Sequence, residues 1–146
     1  MNTVKGIILA LTFIFVGSTA LADCIVADDA MFVTADGGCI DLATGKTWSR
    51  SISRGAGGTR YYSYAVSYCS NLVEGGYSDW RLPQIDELQL VNLHGSAGHL
   101  DVVQPLYSFW SITMKGKKSA YGTTGLYTTA ATLYSTTSSI DAVCVR

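Results

Sequence analysis

The residues with the clearest capacity to hold a ligand lie near the end of the chain. Three lysines and three tyrosines occur there among many threonines: Lys115, Lys117, Lys118, Tyr121, Tyr127 and Tyr134. Lysine ammonium groups attract sulfates and carboxylates, and aromatic faces stack on sugar rings. This combination suits an acidic carbohydrate. The alternative is an ordinary polar β-surface, which would have the same composition.

Patterns typical of catalysis or metal binding are missing from the sequence. His94 and His99 are the only histidines, and their spacing across a glycine-containing loop matches no zinc signature. The stretch 44–47, TGKT, is similar to the end of a phosphate-binding loop, but Ile40 stands where that motif needs its first glycine. No acidic calcium-binding loop is found either. We therefore predict no catalytic residue, no required metal and no cofactor.

The first 22 residues have the organisation of a cleavable signal peptide. Lys5 precedes an apolar run over residues 6–16, and the segment ends in Ala20-Leu21-Ala22. The run is well short of the roughly 20 residues that a membrane-spanning helix needs. We predict that residues 1–22 are removed. One domain, residues 23–146, would then remain in the periplasm, on the cell surface or in the medium, without membrane insertion.

This cleavage can be tested directly. Mass spectrometry of protein recovered from the periplasm or the medium should show Asp23 as the first residue, because signal peptidase cleaves after the A-x-A pattern. Met1 retained in a membrane fraction would contradict the prediction.

The predicted domain is almost neutral. The whole chain has ten basic and eleven acidic residues, a net charge of −1. Removing the first 22 residues takes away Lys5 and no acid, which leaves nine basic against eleven acidic side chains and a net charge of −2. Such a charge provides no field to attract nucleic acid or anionic membranes, so neither is an expected partner.

Short strands at both ends of the domain and two helices between them predict an α+β fold. Alternating patterns indicate strands at 31–34, 39–42, 46–49 and 107–113, and again up to residue 146. Ala65, Cys69 and Leu72 lie on one apolar face of a helix over 61–73. A second helix over 82–93 carries Asp86 and Glu87 in its first turn, where acids complement the helix dipole.

Four cysteines lie in the predicted exported part: Cys24, Cys39, Cys69 and Cys144. An even number in an oxidising compartment indicates two disulfides. Three pairings are open from the residues alone.

The most distinctive stretch is GGYSDWRLPQIDEL at residues 75–88. It ends one helix and begins the next. We expect carboxylates and backbone carbonyls to hold Arg81, and Trp80 to fill the core between the helices.

With this stretch the chain resembles the Lcl C-terminal domain family from about residue 32 to 146. DLATGKTW at 41–48, the helix around Cys69, FWS at 109–111 and CVR at 144–146 add to the resemblance. The resemblance implies a C-type lectin-like fold, with two helices on small antiparallel sheets. It also implies a disulfide from Cys69 to Cys144, which leaves Cys24 and Cys39 to form the second disulfide. The motif residues expected to support this fold are Trp48, Trp80, Arg81, Pro83, Glu87 and Trp110.

The resemblance further implies a secreted or surface-exposed bacterial binding module, adhesin-like, that recognises glycans or a surface protein. One alternative is a structural or accessory subunit of a surface or pilus assembly, and an oligomer is compatible with either function. A second alternative is an enzyme of the formylglycine-generating type, which shares the fold. That chemistry needs reactive cysteines, and two disulfides would leave none.

Overall fold

A computed structural model describes residues 32–35, 38–53, 61–94, 108–124 and 129–146. This part of the chain is α+β, as predicted, with two helices and two small antiparallel sheets. In chain order the elements are β1 (Phe32–Ala35), β2 (Gly38–Asp41), β3 (Lys46–Ile52), α1 (Tyr62–Asn71), α2 (Ile85–Leu93), β4 (Ser108–Met114), β5 (Ser119–Thr124), β6 (Ala131–Ser135) and β7 (Val143–Val145). The predicted signal peptide, Cys24, His99 and Tyr127 lie outside these ranges.

The first sheet has the order β1-β2-β3-β7. Trp48 on β3 is paired with Val145 on β7. On its other side β7 pairs with Arg81: the Arg81 N–H donates to Val145 O at 3.0 Å, and the Val145 N–H donates to Arg81 O at 2.9 Å. The final strand is therefore enclosed on both edges, and the motif at 75–88 enters the sheet through its backbone.

The connection between β2 and β3 is a turn organised by Asp41. Its backbone oxygen accepts the Gly45 N–H at 2.7 Å, and its carboxylate accepts the Ala43 N–H at 3.0 Å and the Thr44 hydroxyl at 2.9 Å. Gly45 has a φ of 69°, which glycine adopts without steric cost. The TGKT sequence is thus a turn followed by the start of β3.

The second sheet has the order β4-β5-β6. Gly122 on β5 lies opposite Trp110, and a Cβ at this position would clash with the backbone oxygen of Phe109. Only glycine allows β5 to approach β4 so closely. The strands β4 and β5 are joined by a turn in which the Lys115 N–H donates to Ser119 O at 2.8 Å.

The core lies between α1 and both sheets. Its buried members are Ala65, Cys69, Trp80, Leu82, Trp110, Ala120, Ile140, Ala142 and Cys144. A disulfide joins Cys69 to Cys144, the pairing that the resemblance implied. Cys39 is also disulfide-bonded, and its predicted partner Cys24 lies outside the described residues.

The helices are shorter than the sequence indicated. The first ends at Asn71 rather than Val73, and Pro83 precedes α2 instead of lying in its first turn. None of the helices in the described part of the chain is long and apolar enough to cross a membrane.

Candidate functional site

A recess of about 450 Å³ opens where the start of α1 meets the turn between β4 and β5. We call it the Lys117 recess. Its lining residues are Tyr61, Tyr62, Ser63, Met114, Lys117, Thr136 and Thr137. The described lining therefore combines one cation, two tyrosine rings and three aliphatic hydroxyl groups on a single surface.

Tyr62 forms a fixed wall of this recess. Its N–H donates to Thr136 O at 3.1 Å, and its hydroxyl donates to Ile112 O at 3.0 Å. Its ring packs edge-on against Trp110, with 5.5 Å between the ring centroids. Burial raises the pKa of Tyr62, so the hydroxyl stays protonated at neutral pH. Tyr61, in contrast, is 43% exposed and can offer its ring to a ligand.

The electrostatics of the recess favour an anion. Helix α1 has no side-chain cap and no acidic residue in its first turn. At the start of this helix the Tyr62 N–H already donates to Thr136 O, but no acidic side chain in the first turn compensates the partial positive charge of the N–H groups that follow. Lys117 adds a full positive charge across the recess.

The predicted lysines are not equivalent. All three lie on the exposed turn between β4 and β5, but of the three only Lys117 lines the recess. The backbone of Lys118 accepts a hydrogen bond from the Thr136 N–H at 2.9 Å. Lys115 and Lys118 therefore contribute charge close to the recess without forming its wall.

The predicted tyrosines are separated by the sheet. Tyr134 is paired with Ala120 and Tyr121 with Leu133, and neighbouring residues of a strand point to opposite faces. Tyr134 lies on the core side, where its ring packs edge-on against Trp110. Its hydroxyl donates to Ser108 Oγ at 3.1 Å. Tyr121 and Tyr134 thus cannot contact the same ligand, and Tyr127 lies outside the described residues.

Sequence reasoning missed the tyrosines of the recess, Tyr61 and Tyr62. They lie more than 50 residues before Lys117 in the chain and reach it through the packing of α1 on β4. The adjacent pair of aromatic residues at the start of a helix was the available signal.

The charged residues of the family motif form a separate structural cluster. Arg81 makes two hydrogen bonds to Glu87, Nη1 to Oε2 and Nη2 to Oε1, both 2.7 Å. Lys46 Nζ lies 2.9 Å from Glu87 Oε1, and the Gln84 N–H donates to Glu87 Oε2 at 2.7 Å as part of a capping box. Through this one carboxylate, β3 is tied to the start of α2.

The pKa of Glu87 reflects these contacts. Burial acts to raise it, but hydrogen bonds from Arg81, Lys46 and the Gln84 N–H outweigh burial and lower the pKa from 4.5 to about 2. The carboxyl group is consequently ionised at any physiological pH.

His94 connects α2 to the first sheet. It lies at the end of α2 with its side chain only 16% exposed, and its Nδ1 is 2.8 Å from Oδ2 of the buried Asp41. The same carboxylate organises the turn between β2 and β3, so this contact joins the turn to the end of α2. Within the described ranges, no group of three or more His, Cys, Asp or Glu residues is placed to hold a metal ion.

Comparison with known sequences agrees with the earlier resemblance. The family model of the Lcl C-terminal domain matches residues 37–146, a range that includes α1, α2, β2 to β7 and the whole Lys117 recess. None of the curated proteins matches the chain significantly. Since the family match covers about three quarters of the sequence, the chain belongs to the Lcl C-terminal domain family.

Proposed function

We propose that this domain is a secreted or surface-exposed binding module that recognises acidic glycans through the Lys117 recess. Family membership suggests a surface-associated, adhesin-related bacterial module. The observation that carries the glycan proposal is the recess itself, which Lys117 and the exposed Tyr61 line together at the start of α1. Its volume of about 450 Å³ is within the range of small-ligand pockets, roughly 300–1,000 Å³.

Each part of the recess has a counterpart in an acidic sugar. A sulfate or carboxylate pairs with Lys117 and is favoured by the partial positive charge at the start of α1. The apolar face of the ring packs on Tyr61, as aromatic side chains pack on other apolar surfaces. Ser63, Thr136 and Thr137 supply hydroxyl groups that exchange hydrogen bonds with sugar hydroxyls.

The fold and the state of the cysteines also favour binding over catalysis. We propose that the fold is C-type lectin-like, because two helices pack with two small antiparallel sheets around one disulfide-linked core. Each cysteine in the described part of the chain is disulfide-bonded, so those residues offer no thiolate for chemistry of the formylglycine-generating type.

Replacing Lys117 with alanine is expected to weaken binding of a sulfated oligosaccharide at least tenfold. The change removes the one cation that lines the recess among the three neighbouring lysines. Calorimetric titration of residues 23–146 with an array-selected sulfated tetrasaccharide, at low and high salt, measures the loss. The affinity of the variant should also depend less on salt concentration, because the variant lacks the ion pair that salt screens.

Lys115→Ala is the matched control for this variant. It removes the same charge from the same turn but leaves the recess lining intact, so binding should fall only slightly. The desulfated form of the tetrasaccharide should bind wild type and both variants equally. Equal losses for Lys115→Ala and Lys117→Ala would move the site away from the recess. A glycan array without any acidic hit would contradict the proposal and favour a structural subunit.

A further inference from the structure

A second recess lies further along the same helix. Its volume is about 290 Å³, and its lining residues are Tyr64, Ser67, Tyr68, Asn71, Leu72 and Val73. We call it the Tyr64 recess. Tyr61 of the first recess and Tyr64 and Tyr68 of the second are spaced at i, i+3 and i+7. Tyr64 and Tyr68 therefore lie on one face of α1, and Tyr61 immediately precedes the first residue of the helix.

The rings of Tyr64 and Tyr68 are stacked, and we call this pair the aromatic platform. Their centroids are 6.5 Å apart, and their planes differ by only 26°. Tyr68 is partly buried against the core, whereas Tyr64 is 46% exposed and presents its ring to solvent. An exposed ring held in place by a second ring suits the flat apolar face of a sugar better than it suits a small ion.

The polar side chains that line the Tyr64 recess are neutral, and the charged Glu74 lies nearby without lining it. The Asn71 carboxamide is held by a hydrogen bond from Nδ2 to Ser67 O at 2.8 Å. Burial, with smaller contributions from the charges of Glu74 and Tyr64, raises the pKa of Tyr68 to about 12, which keeps its hydroxyl protonated. No charged side chain is found among the described residues that line the recess. Its chemistry therefore suits an uncharged sugar, in contrast to the Lys117 recess.

We infer that the two recesses form one elongated site in which an oligosaccharide lies along α1. Its acidic unit occupies the Lys117 recess, and its uncharged units stack on Tyr64 and Tyr68. This inference rests on the proposed function and extends it from an acidic group to a chain of several sugars. Seven residues of helix span roughly 10 Å, about the length of two linked sugar rings. The ligand class is thus a short oligosaccharide with an acidic end and a neutral extension.

Dependence of affinity on ligand length is the main test. Calorimetric titration of residues 23–146 compares an acidic monosaccharide with a tetrasaccharide in which the same acidic unit is followed by neutral sugars. Wild type should bind the tetrasaccharide at least tenfold more tightly. Tyr64→Ser should lose this gain while binding the acidic monosaccharide as wild type does. Tyr64→Phe should keep the gain, because stacking needs the ring and not the hydroxyl.

Two controls separate this effect from a loss of folding. Leu90→Ser removes a similarly exposed apolar residue, 43% exposed, from α2 and should leave both affinities unchanged. Circular dichroism melting should show that Tyr64→Ser is folded. If wild type binds both ligands equally, the elongated site is wrong while the Lys117 recess stands. If Tyr64→Ser lowers the affinity for both ligands equally, the elongated site is likewise wrong and the Lys117 recess stands. If wild type binds neither ligand, both proposals are wrong.

Discussion

Replacing Cys69 and Cys144 together with alanine is expected to lower the free energy of unfolding by about 4 kcal/mol and the melting temperature by on the order of 15 °C. The bond joins residues that are 75 positions apart in the sequence. Without the bond the unfolded chain gains conformational entropy, and this gain is larger for a longer loop. Both residues are fully buried in the core, so the substitutions also remove packed sulfur atoms. Chemical denaturation of residues 23–146 measures the difference.

The matched control is the double variant Cys24→Ala and Cys39→Ala. A loop of about 15 residues, as predicted for this pair, contributes roughly 3 kcal/mol in the same chain-entropy treatment. Removing the bond that closes the shorter loop gives the unfolded chain a smaller gain in conformational entropy. Losing the Cys24–Cys39 bond should therefore lower the free energy of unfolding by less than losing the Cys69–Cys144 bond. Non-reducing peptide mapping identifies the bonds, and a larger loss for Cys24 and Cys39 than for Cys69 and Cys144 would contradict the expected order.

The substitution Glu87→Gln is expected to destabilise the domain by about 2 kcal/mol at pH 7, allowing for solvent screening of the partly exposed Arg81 and Lys46. Three donors converge on the Glu87 carboxylate, and an amide of the same shape cannot accept from all of them. Asp86→Asn is a suitable control. Asp86 is exposed, and its amide variant still offers an oxygen to the Glu87 N–H. That change should cost only a few tenths of a kcal/mol.

The pH dependence provides a second measurement on the same variant. Because folding lowers the pKa of Glu87 from 4.5 to about 2, its stabilising contribution is complete above pH 4.5 and is lost as the pH falls towards 2. Urea denaturation over this interval should show wild type losing its advantage over Glu87→Gln. Parallel stability curves for the two proteins would mean that Glu87 is not held in this way.

Local patterns in the sequence predicted most of the fold. Apolar spacing around Ala65 and Cys69 placed the first helix, and alternation predicted strands on either side of the helices. The long-range pairing of Cys69 with Cys144 came from the family resemblance, because the spacing of four cysteines leaves three pairings open. Helix ends were less accurate, since they depend on capping contacts such as Gln84 with Glu87.

The candidate site was harder to predict because its residues come from distant elements. Which face Tyr121 and Tyr134 occupy depends on strand register, and a shift of one residue would exchange the two faces. The approach of Tyr61 to Lys117 requires the packing of α1 on β4, which no local pattern encodes. The contact between Asp41 and His94 spans 53 residues and was missed for the same reason.

The position of β7 also determines the order in which the protein can be assembled. It is the last of the seven strands in the described part of the chain, yet it lies between β3 and Arg81. A nascent chain that has emerged only as far as Ile140 lacks the partner for Trp48 and for Cys69. Because contacts distant in sequence must wait for both segments, the first sheet cannot close until residue 145 has reached the compartment in which the domain folds. Formation of the Cys69–Cys144 disulfide, in which an external oxidant takes two electrons from the two thiols, therefore belongs to a late stage of assembly.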